Sequence, residues 1–309
     1  MTAAGRAMSS VLDVLPASVI RRAARRYLGG ATVSEAMDVA RSLAAEGMPA
    51  TLAVVGEAAE TLEYARGYLG ELLAVTQAVS GTGLDVRLGV KLTGLGLVFD
   101  PQLARTHLFA IAEAAAAAGC SVEVDMEQAC YVDRTLDVVR AARVTMPNVE
   151  AVVQAELYRT AGDVRALIAD HIPARVVKGA YKEGPAHAYG RPEVIRDSYL
   201  DVVRQFLKAG VHVGVATHDE YLIFHVLRLA EELGVPSDGY EFQMLKGIAE
   251  QLRAALVRSG HPVRVTVNFG ADAHKWSLRR LKENPEIVRH MLTSIGRHGP
   301  RPARRGPHH

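Results

Sequence analysis

A strand-then-helix pattern, repeated eight times after residue 50, constrains the fold of this 309-residue chain more than any other feature. The strand-like segments are Thr51–Val55, Val86–Leu92, Ser121–Asp125, Ala151–Gln154, Arg175–Ala180, Val211–Ala216, Tyr240–Leu245 and Arg264–Asn268. Amphipathic stretches such as Pro101–Ala118 and Glu193–Ala209 separate them. Because such alternation gives parallel strands with right-handed crossovers, the sequence predicts an α/β fold of the closed (β/α)8 TIM-like barrel type.

An open doubly wound sheet is the alternative architecture. It is less favoured because Val55-Gly56-Glu57 follows the first strand, where a dinucleotide-binding fold carries Gly-x-Gly-x-x-Gly. We divide the chain into an N-terminal helical segment at 1–48, a barrel domain at 49–296 and a disordered basic tail at 297–309. The leader is predicted to include a helix from about Val33 to Glu46, ended by Gly47.

Polar residues recur at every second position of several predicted strands, opposite a face of Val, Leu, Phe and Met. This polar set is Arg87, Lys91, Glu123, Asp125, Glu150, Gln154, Arg175, Glu241, Gln243, Arg264, Thr266 and Asn268. If the apolar face packs on the helices, the polar face lines the barrel interior. An unpaired ion there costs several kcal/mol, so we expect these charges to pair with one another or to meet a polar ligand.

Residues at the carboxyl ends of the strands are the better functional candidates, because barrels of this kind place their chemistry there. They are Lys91, Asp125, Gln154, Lys178, Thr217 and His218, with Arg279 and Arg280 beyond strand eight. The segment Arg175–Tyr181 places two cations among apolar residues and then Gly179-Ala180, which allows a flat group to approach the backbone. For Arg175 alone, a structural ion pair is the competing interpretation.

Composition excludes several classes of protein. A formal net charge of +2 is too near balance for nucleic acid to be the main partner. Two cysteines, Cys120 and Cys130, fit a reducing cytoplasm and cannot make a metal quartet. No apolar run reaches membrane-spanning length. We therefore expect a cytoplasmic protein; the basic stripe from Arg21 to Arg26 favours a solvated face over contact with anionic lipid.

Several chemistries remain open on the residues alone. A Schiff-base aldolase would use Lys91 or Lys178 as its nucleophile. A phosphate-binding barrel has thin support, since only Lys246-Gly247 and Phe269-Gly270 resemble the turns it needs. A metal-dependent hydrolase is set aside because only His225 lies near His218 in sequence. A binding module without catalysis is also compatible with a polar pocket.

Seven motifs, all in family order between about residues 24 and 285, carry a resemblance to a known family. They are Val90-Lys-Leu-Thr-Gly-Leu-Gly, Val124-Asp-Met-Glu, Val153-Gln-Ala, Arg175-Val-Val-Lys-Gly-Ala-Tyr, Ala216-Thr-His, Tyr240-Glu-Phe-Gln-Met-Leu and Arg279-Arg-Leu-Lys-Glu. On these motifs the chain resembles the proline dehydrogenase family, flavin barrels that oxidise L-proline, in its monofunctional bacterial form. Any one motif alone would be weak evidence.

The resemblance implies a non-covalent FAD on the carboxyl face. The residues it assigns to FAD are Met126, Gln154, Lys178, Gly179, Ala180, Thr217 and His218. It assigns catalytic roles to Asp125 and Arg175, and substrate contacts to Lys91, Tyr181, Leu245, Arg279 and Arg280. The implied reaction is hydride transfer from the carbon beside the ring nitrogen to flavin N5, giving Δ1-pyrroline-5-carboxylate. Implied partners are a quinone acceptor, reached by peripheral contact with the inner membrane face, and a downstream pyrroline-5-carboxylate dehydrogenase.

The chain departs from the family pattern in the wall expected to hold the pyrrolidine ring. Strand eight reads Arg264-Val-Thr-Val-Asn-Phe-Gly where the family usually shows Arg-x-Tyr-x-Pro-Tyr-Gly, so Thr266 replaces an expected tyrosine. Trp276 replaces a second tyrosine, Asp219 stands where asparagine is common, and Lys246 where tyrosine or histidine is common. These departures leave a substituted proline or another cyclic amino acid open as the substrate.

Overall fold

The computed structural model describes residues 26–271 and residue 273. Within them, eight parallel strands pair in chain order, and β1 pairs with β8 to close a barrel. The strands are β1 (Ala50–Val54), β2 (Val86–Val90), β3 (Ser121–Val124), β4 (Val149–Gln154), β5 (Ala174–Val177), β6 (Val213–Ala216), β7 (Tyr240–Leu245) and β8 (Val263–Phe269). The predicted (β/α)8 barrel is confirmed.

Among residues 26–271 and 273, one helix precedes the barrel and seven connect its strands. They are α1 (Val33–Ala45), α2 (Leu62–Val79), α3 (Pro101–Ala117), α4 (Val132–Arg143), α5 (Thr160–Ala169), α6 (Pro192–Ala209), α7 (Glu220–Leu233) and α8 (Glu250–Arg258). None of the helices in the described part of the chain has the length and apolar character needed to cross a bilayer.

Of the eight strands, β7 alone has the predicted bounds; the other seven begin or end one to three residues away from the prediction. We expected the fifth strand to reach Ala180, but β5 ends at Val177 because Gly179 turns the chain with a φ of 139°. The sixth strand was expected from Val211 and begins at Val213. There the N–H of Val211 bonds back to the carbonyl of Phe206, so it closes the end of α6 and is not available to the sheet.

The part of the predicted leader that the structure describes is attached to the barrel. The amide of Gly29 donates to the carbonyl of Asn268 in β8 over 2.8 Å. Helix α1 then begins with a capping box, in which Thr32 and Glu35 satisfy each other's backbone N–H groups. Residues 1–25, the tail at 297–309 and the predicted last helix around Trp276 lie outside the described residues.

The two faces of the barrel wall divide as the alternation predicts. In β2, Val86 and Leu88 are fully buried against the helix layer, while Arg87 points inward and is also buried. The inward charges of β3, β7 and β8 are buried to the same degree: Glu123, Glu241 and Arg264 are 0%, 6% and 4% exposed. The desolvation cost of burying these ions is offset only because they form ion pairs with one another inside the barrel.

Candidate active site

The ends of the strands bring three predicted site residues into one ion-paired group. Lys91 follows β2 directly, Asp125 follows β3, and Arg175 is the second residue of β5. The Lys91 ammonium donates to Asp125 Oδ2 over 2.6 Å, and an Arg175 terminal nitrogen donates to the other carboxylate oxygen. One carboxylate therefore holds two cations at the carboxyl face.

The electrostatics of this group keep all three residues ionised at neutral pH. Burial alone would raise the pKa of Asp125, but Lys91 and Arg175 outweigh it and the pKa falls below its ordinary value. Burial alone would lower the pKa of Lys91, yet Asp125, with smaller contributions from Tyr68 and Tyr181, raises it. Tyr181 thus belongs to the surroundings of Lys91.

Two of the three guanidinium nitrogens of Arg175 contact carboxylates. Its Nη1 lies 2.8 Å from Glu123 Oε1 and its Nη2 donates to Asp125. The Nε–H is buried and has no hydrogen-bond partner among residues 26–271 and 273. Since a buried donor without a partner is costly, this N–H suits an acceptor atom brought by a ligand.

The ends of β4 and β5 form a backbone platform beside Arg175. Gln154 donates from Nε2 to the carbonyl of Glu127 over 2.8 Å, and its Oε1 accepts from the amide of Ala180. A Cβ built on Gly179 would stand 1.9 Å from the carboxyl carbon of Glu156. Both the positive φ and this contact require glycine there.

Lys178 lies just beyond this platform in an ion pair that the sequence did not predict. Its ammonium donates to Asp219 Oδ2 over 2.7 Å, and Arg196 Nε donates to the same oxygen over 2.8 Å. The other Asp219 oxygen accepts from the amide of Tyr221 and caps helix α7. Burial would raise the pKa of Asp219, but hydrogen bonds from the two cations lower it.

The ends of β6 and β7 bring the next predicted residues together. His218 Nε2 accepts from the amide of Leu245 over 2.9 Å, which fixes the proton of a neutral ring on Nδ1. Thr217 is buried, and its hydroxyl accepts from the amide of Asp219. Met126 is 6% exposed and packs into the main apolar core. Arg279 and Arg280 lie outside the described residues.

Sequence reasoning missed two carboxyl groups at this face. Glu127 is 2% exposed and accepts from both the amide and the hydroxyl of Thr93; burial raises its pKa. Glu156 is half-buried, with one oxygen lacking a hydrogen-bond partner among the described residues, and burial followed by nearby Glu183 raises its pKa to about 7. The signal for Glu156 was its position two residues after Gln154, at the end of a barrel strand.

The remaining interior charges form a structural network below this group. Arg87 lies 2.7 Å from Glu241, 3.1 Å from Glu150 and 3.4 Å from Glu123. Arg264 is 3.1 Å from Glu241 and also reaches Asp85. The expectation that interior charges pair with one another is confirmed for this network.

Comparisons with known proteins agree with this arrangement. The proline dehydrogenase family model matches residues 36–291. Proline dehydrogenase 1 of Bacillus subtilis subsp. natto is 33% identical over 89% of this chain and 91% of its own length. Proline dehydrogenase of Deinococcus radiodurans is 32% identical over 87% and 90%.

Solved structures show the same fold at lower sequence identity. Proline utilization A (PutA) from Bdellovibrio bacteriovorus, inactivated by N-propargylglycine, superposes with a TM-score of 0.78 at 22% identity. The match covers 85% of this chain and 33% of the PutA chain, so this chain spans about a third of that longer protein.

Fold and site together define a (β/α)8-barrel enzyme with an ion-paired cluster at its carboxyl face. The chain belongs to the proline dehydrogenase family, as its family-model match and its curated relatives both show, and it is an oxidoreductase.

Proposed function

We propose that the chain oxidises L-proline to Δ1-pyrroline-5-carboxylate with bound FAD. In this reaction the carbon beside the ring nitrogen loses a hydride, the nitrogen loses a proton, and a C=N bond forms between them. When bound, FAD supplies the hydride acceptor at N5, and a quinone then takes up the two electrons. The buried Nε–H of Arg175, which has no hydrogen-bond partner among the described residues, is the observation that carries the proposal, since it offers a donor to a ligand at the carboxyl face.

The residues of the platform fit a flavin. A flat ring system needs backbone that it can approach closely, and Gly179-Ala180 provides this beside the Gln154 amide. Cations near the ring stabilise added negative charge, and Arg175 and Lys178 supply them. We assign FAD contacts to Met126, Gln154, Lys178, Gly179, Ala180, Thr217 and His218.

The chain's own residues would bind and orient the substrate. Lys91, kept protonated by Asp125, supplies a cation for the substrate carboxylate, and Arg279 and Arg280 would complete that site. Asp125 positions Lys91 and Arg175 at once, because it bonds to both. Tyr181 and Leu245 would line the ring pocket. The backbone of Leu245 is held there by the hydrogen bond from its amide to His218 Nε2.

The visible absorption spectrum of the purified protein tests the proposal. Purified protein should be yellow and release about one FAD per chain, and anaerobic L-proline should bleach the flavin band. Colourless, folded protein that cannot be reconstituted with FAD would contradict the proposal. Yellow protein that proline does not bleach would leave the cofactor assignment standing and remove the substrate assignment.

The Schiff-base aldolase is disfavoured by the state of Lys91. An aldolase lysine needs a lowered pKa so that its amine is free to attack, whereas the pKa of Lys91 is raised by Asp125 against the effect of burial. Borohydride trapping of a carbonyl substrate on Lys91 or Lys178 would favour that alternative.

A changed substrate is the second candidate function, and the position of Thr266 favours it. Thr266 lies on β8 beside Leu245, faces the interior with its neighbours Arg264 and Asn268, and is 8% exposed. A small hydroxyl can satisfy a polar ring substituent that an aromatic ring would leave unpaired. Restoring the aromatic with Thr266→Tyr should raise kcat/KM for proline relative to hydroxyproline. An unchanged ratio would show that Thr266 does not set specificity.

A further inference from the structure

Glu123 connects the ion-paired group at the carboxyl face with the network below it. Its side chain is fully buried at 0% exposure. Oε1 lies 2.8 Å from Arg175 Nη1, while Oε2 accepts from Gln243 Nε2 over 3.0 Å and from Arg87 Nη1 over 3.4 Å. Glu123 therefore contacts the proposed cofactor cation and the structural network at once.

The geometry of strand β3 makes this contact specific to Arg175. Residues two apart on a strand point to the same face, so Glu123 and Asp125 both project inward. They engage the two terminal nitrogens of Arg175, one each. The Arg175 guanidinium is held by a hydrogen bond at Nη2 and an ion-pair contact at Nη1, which together restrict its rotation, and its third nitrogen, Nε, has no hydrogen-bond partner among the described residues.

We propose that Glu123 is a positioning residue: it fixes the Arg175 guanidinium so that its free N–H is presented to the bound flavin. This inference rests on the proposed function, since it requires a flavin at the carboxyl face. Without Glu123, Arg175 would keep its charge and its bond to Asp125 but lose its second fixed point. The expected loss is therefore in the chemical step and not in proline binding.

Glu150 offers a matched control within the same interior. It is a neighbouring carboxylate, paired with Glu123 in the register of β3 and β4, and it contacts Arg87 at 3.1 Å. Neither an ion pair nor a hydrogen bond joins Glu150 to Arg175 in the described residues. Glu123→Gln and Glu150→Gln thus replace neighbouring carboxyl groups of the same barrel by amides, and only the first changes a group that contacts Arg175.

The experiment compares these two variants with wild type as FAD-loaded protein. We expect Glu123→Gln to keep FAD, to lower kcat for proline about ten- to a hundredfold with KM within about threefold, and to shift the flavin reduction potential. Glu150→Gln should keep kcat within about twofold and leave the potential near that of wild type. Equal effects of the two variants would overturn the proposal, because they would show that only interior charge matters.

A double-mutant cycle tests whether Glu123 acts through Arg175. In an Arg175→Lys background, Glu123→Gln should lower kcat by no more than about threefold further, because the guanidinium is already gone. Fully additive losses would overturn the proposal. If Glu123→Gln does not fold, Glu123→Asp retracts the carboxylate and should still lower kcat with KM held, and wild-type kcat in that variant would count against the idea. Failure of wild type to bind FAD would instead remove the proposed function.

Discussion

Glu156, at the carboxyl face, has a pKa raised to about 7, first by burial and then by Glu183. A carboxyl whose folded pKa is raised stabilises the fold below its unfolded pKa of 4.5, and that contribution is lost as the pH rises through 7. The ionised side chain has no hydrogen-bond partner for one oxygen among the described residues. High pH therefore places an uncompensated charge against Gly179.

Replacing this carboxyl should stabilise the protein in a pH-dependent way. Glu156→Gln is expected to raise Tm relative to wild type at pH 8 and to change it little at pH 5, because wild-type Glu156 is protonated there. Thermal unfolding at the two pH values measures this. Glu183→Gln should reproduce part of the gain at pH 8, because it removes the nearby charge that helps to raise the pKa of Glu156. An equal gain at both pH values would show that ionisation is not the cause.

The substrate carboxylate gives a second residue-scale prediction. Charge-assisted hydrogen bonds contribute about 1.5–3 kcal/mol, so Arg280→Met should lower kcat/KM about ten- to a hundredfold while FAD remains bound. Steady-state kinetics with a flavin spectrum of the same sample measures both. Unchanged kcat/KM would return Arg279 and Arg280 to a solvated surface pair.

Ionisation of the substrate gives a third residue-scale prediction. Hydride loss requires a neutral ring nitrogen, and Asp125 and Lys91 stay ionised at neutral pH because each shifts the other's pKa. Activity should therefore rise with pH as bound proline loses its ammonium proton, with no further rise from the enzyme's own pair. A kcat/KM profile that is flat from pH 6 to 9 would contradict this.

At the residue scale, strand alternation predicted the interior charges well, because a period of two fixes which side chains share a face. It could not predict that Lys178 pairs with Asp219 or that Glu156 lies on Gly179. Those contacts join loops from different repeats. Their geometry depends on how each loop turns after its strand, which periodicity does not encode.

At the scale of elements, helix α7 and the candidate site share one residue. Asp219 caps the helix through one oxygen and binds Lys178 and Arg196 through the other. Its pKa is lowered by these cations against the effect of burial, so its ionic contribution to stability is present above pH about 4 and is lost as the pH falls further. The contributions of the helix cap and of the ion pairs to stability can therefore be distinguished by changing the pH.

Two substitutions of Asp219 separate the stabilisation by the helix cap from the stabilisation by the ion pairs. Asparagine caps helices about as well as aspartate, so Asp219→Asn should lower Tm at pH 7, and the difference from wild type should shrink as the pH falls below about 4. Asp219→Ala should cost about 1 kcal/mol more than Asp219→Asn at pH 7, since it removes the cap too. Identical melting of the two variants would show that the cap contributes nothing here.

The order of the strands was predicted more accurately than the residues at which they begin and end. All eight strands occur in the predicted order, and β7 matches to the residue. The errors at β5 and β6 arise where a glycine of positive φ, Gly179 or Gly210, redirects the chain beside an otherwise extended segment. A run of apolar residues does not show which of its amides will bond to a helix end instead of the sheet.

At the scale of the whole molecule, the barrel encloses four cations and four carboxylates in place of an apolar filling. Arg87 is the cation with the most partners, since it meets Glu123, Glu150 and Glu241. Removing one member of such a group leaves buried charge without compensation, which costs about 3–5 kcal/mol.

Arg87→Met is therefore expected to destabilise the fold by about that amount in chemical denaturation. Arg140→Met is the matched control, because Arg140 makes a single ion pair with Asp170 at the surface. It should leave the denaturation midpoint almost unchanged. Similar midpoints for the two variants would mean that the interior charges are better hydrated than their burial indicates.

The charge network also determines how strands can be exchanged between relatives. Arg87, Glu123, Glu150, Glu241 and Arg264 come from five different strands, β2, β3, β4, β7 and β8, yet each neutralises another. A chimaera that imports one foreign strand would carry a charge whose counterpart stayed behind. Compensating substitutions must then arise on strands far apart in the chain. We therefore expect the interior positions of this barrel to change together, and its outward apolar positions to change one at a time.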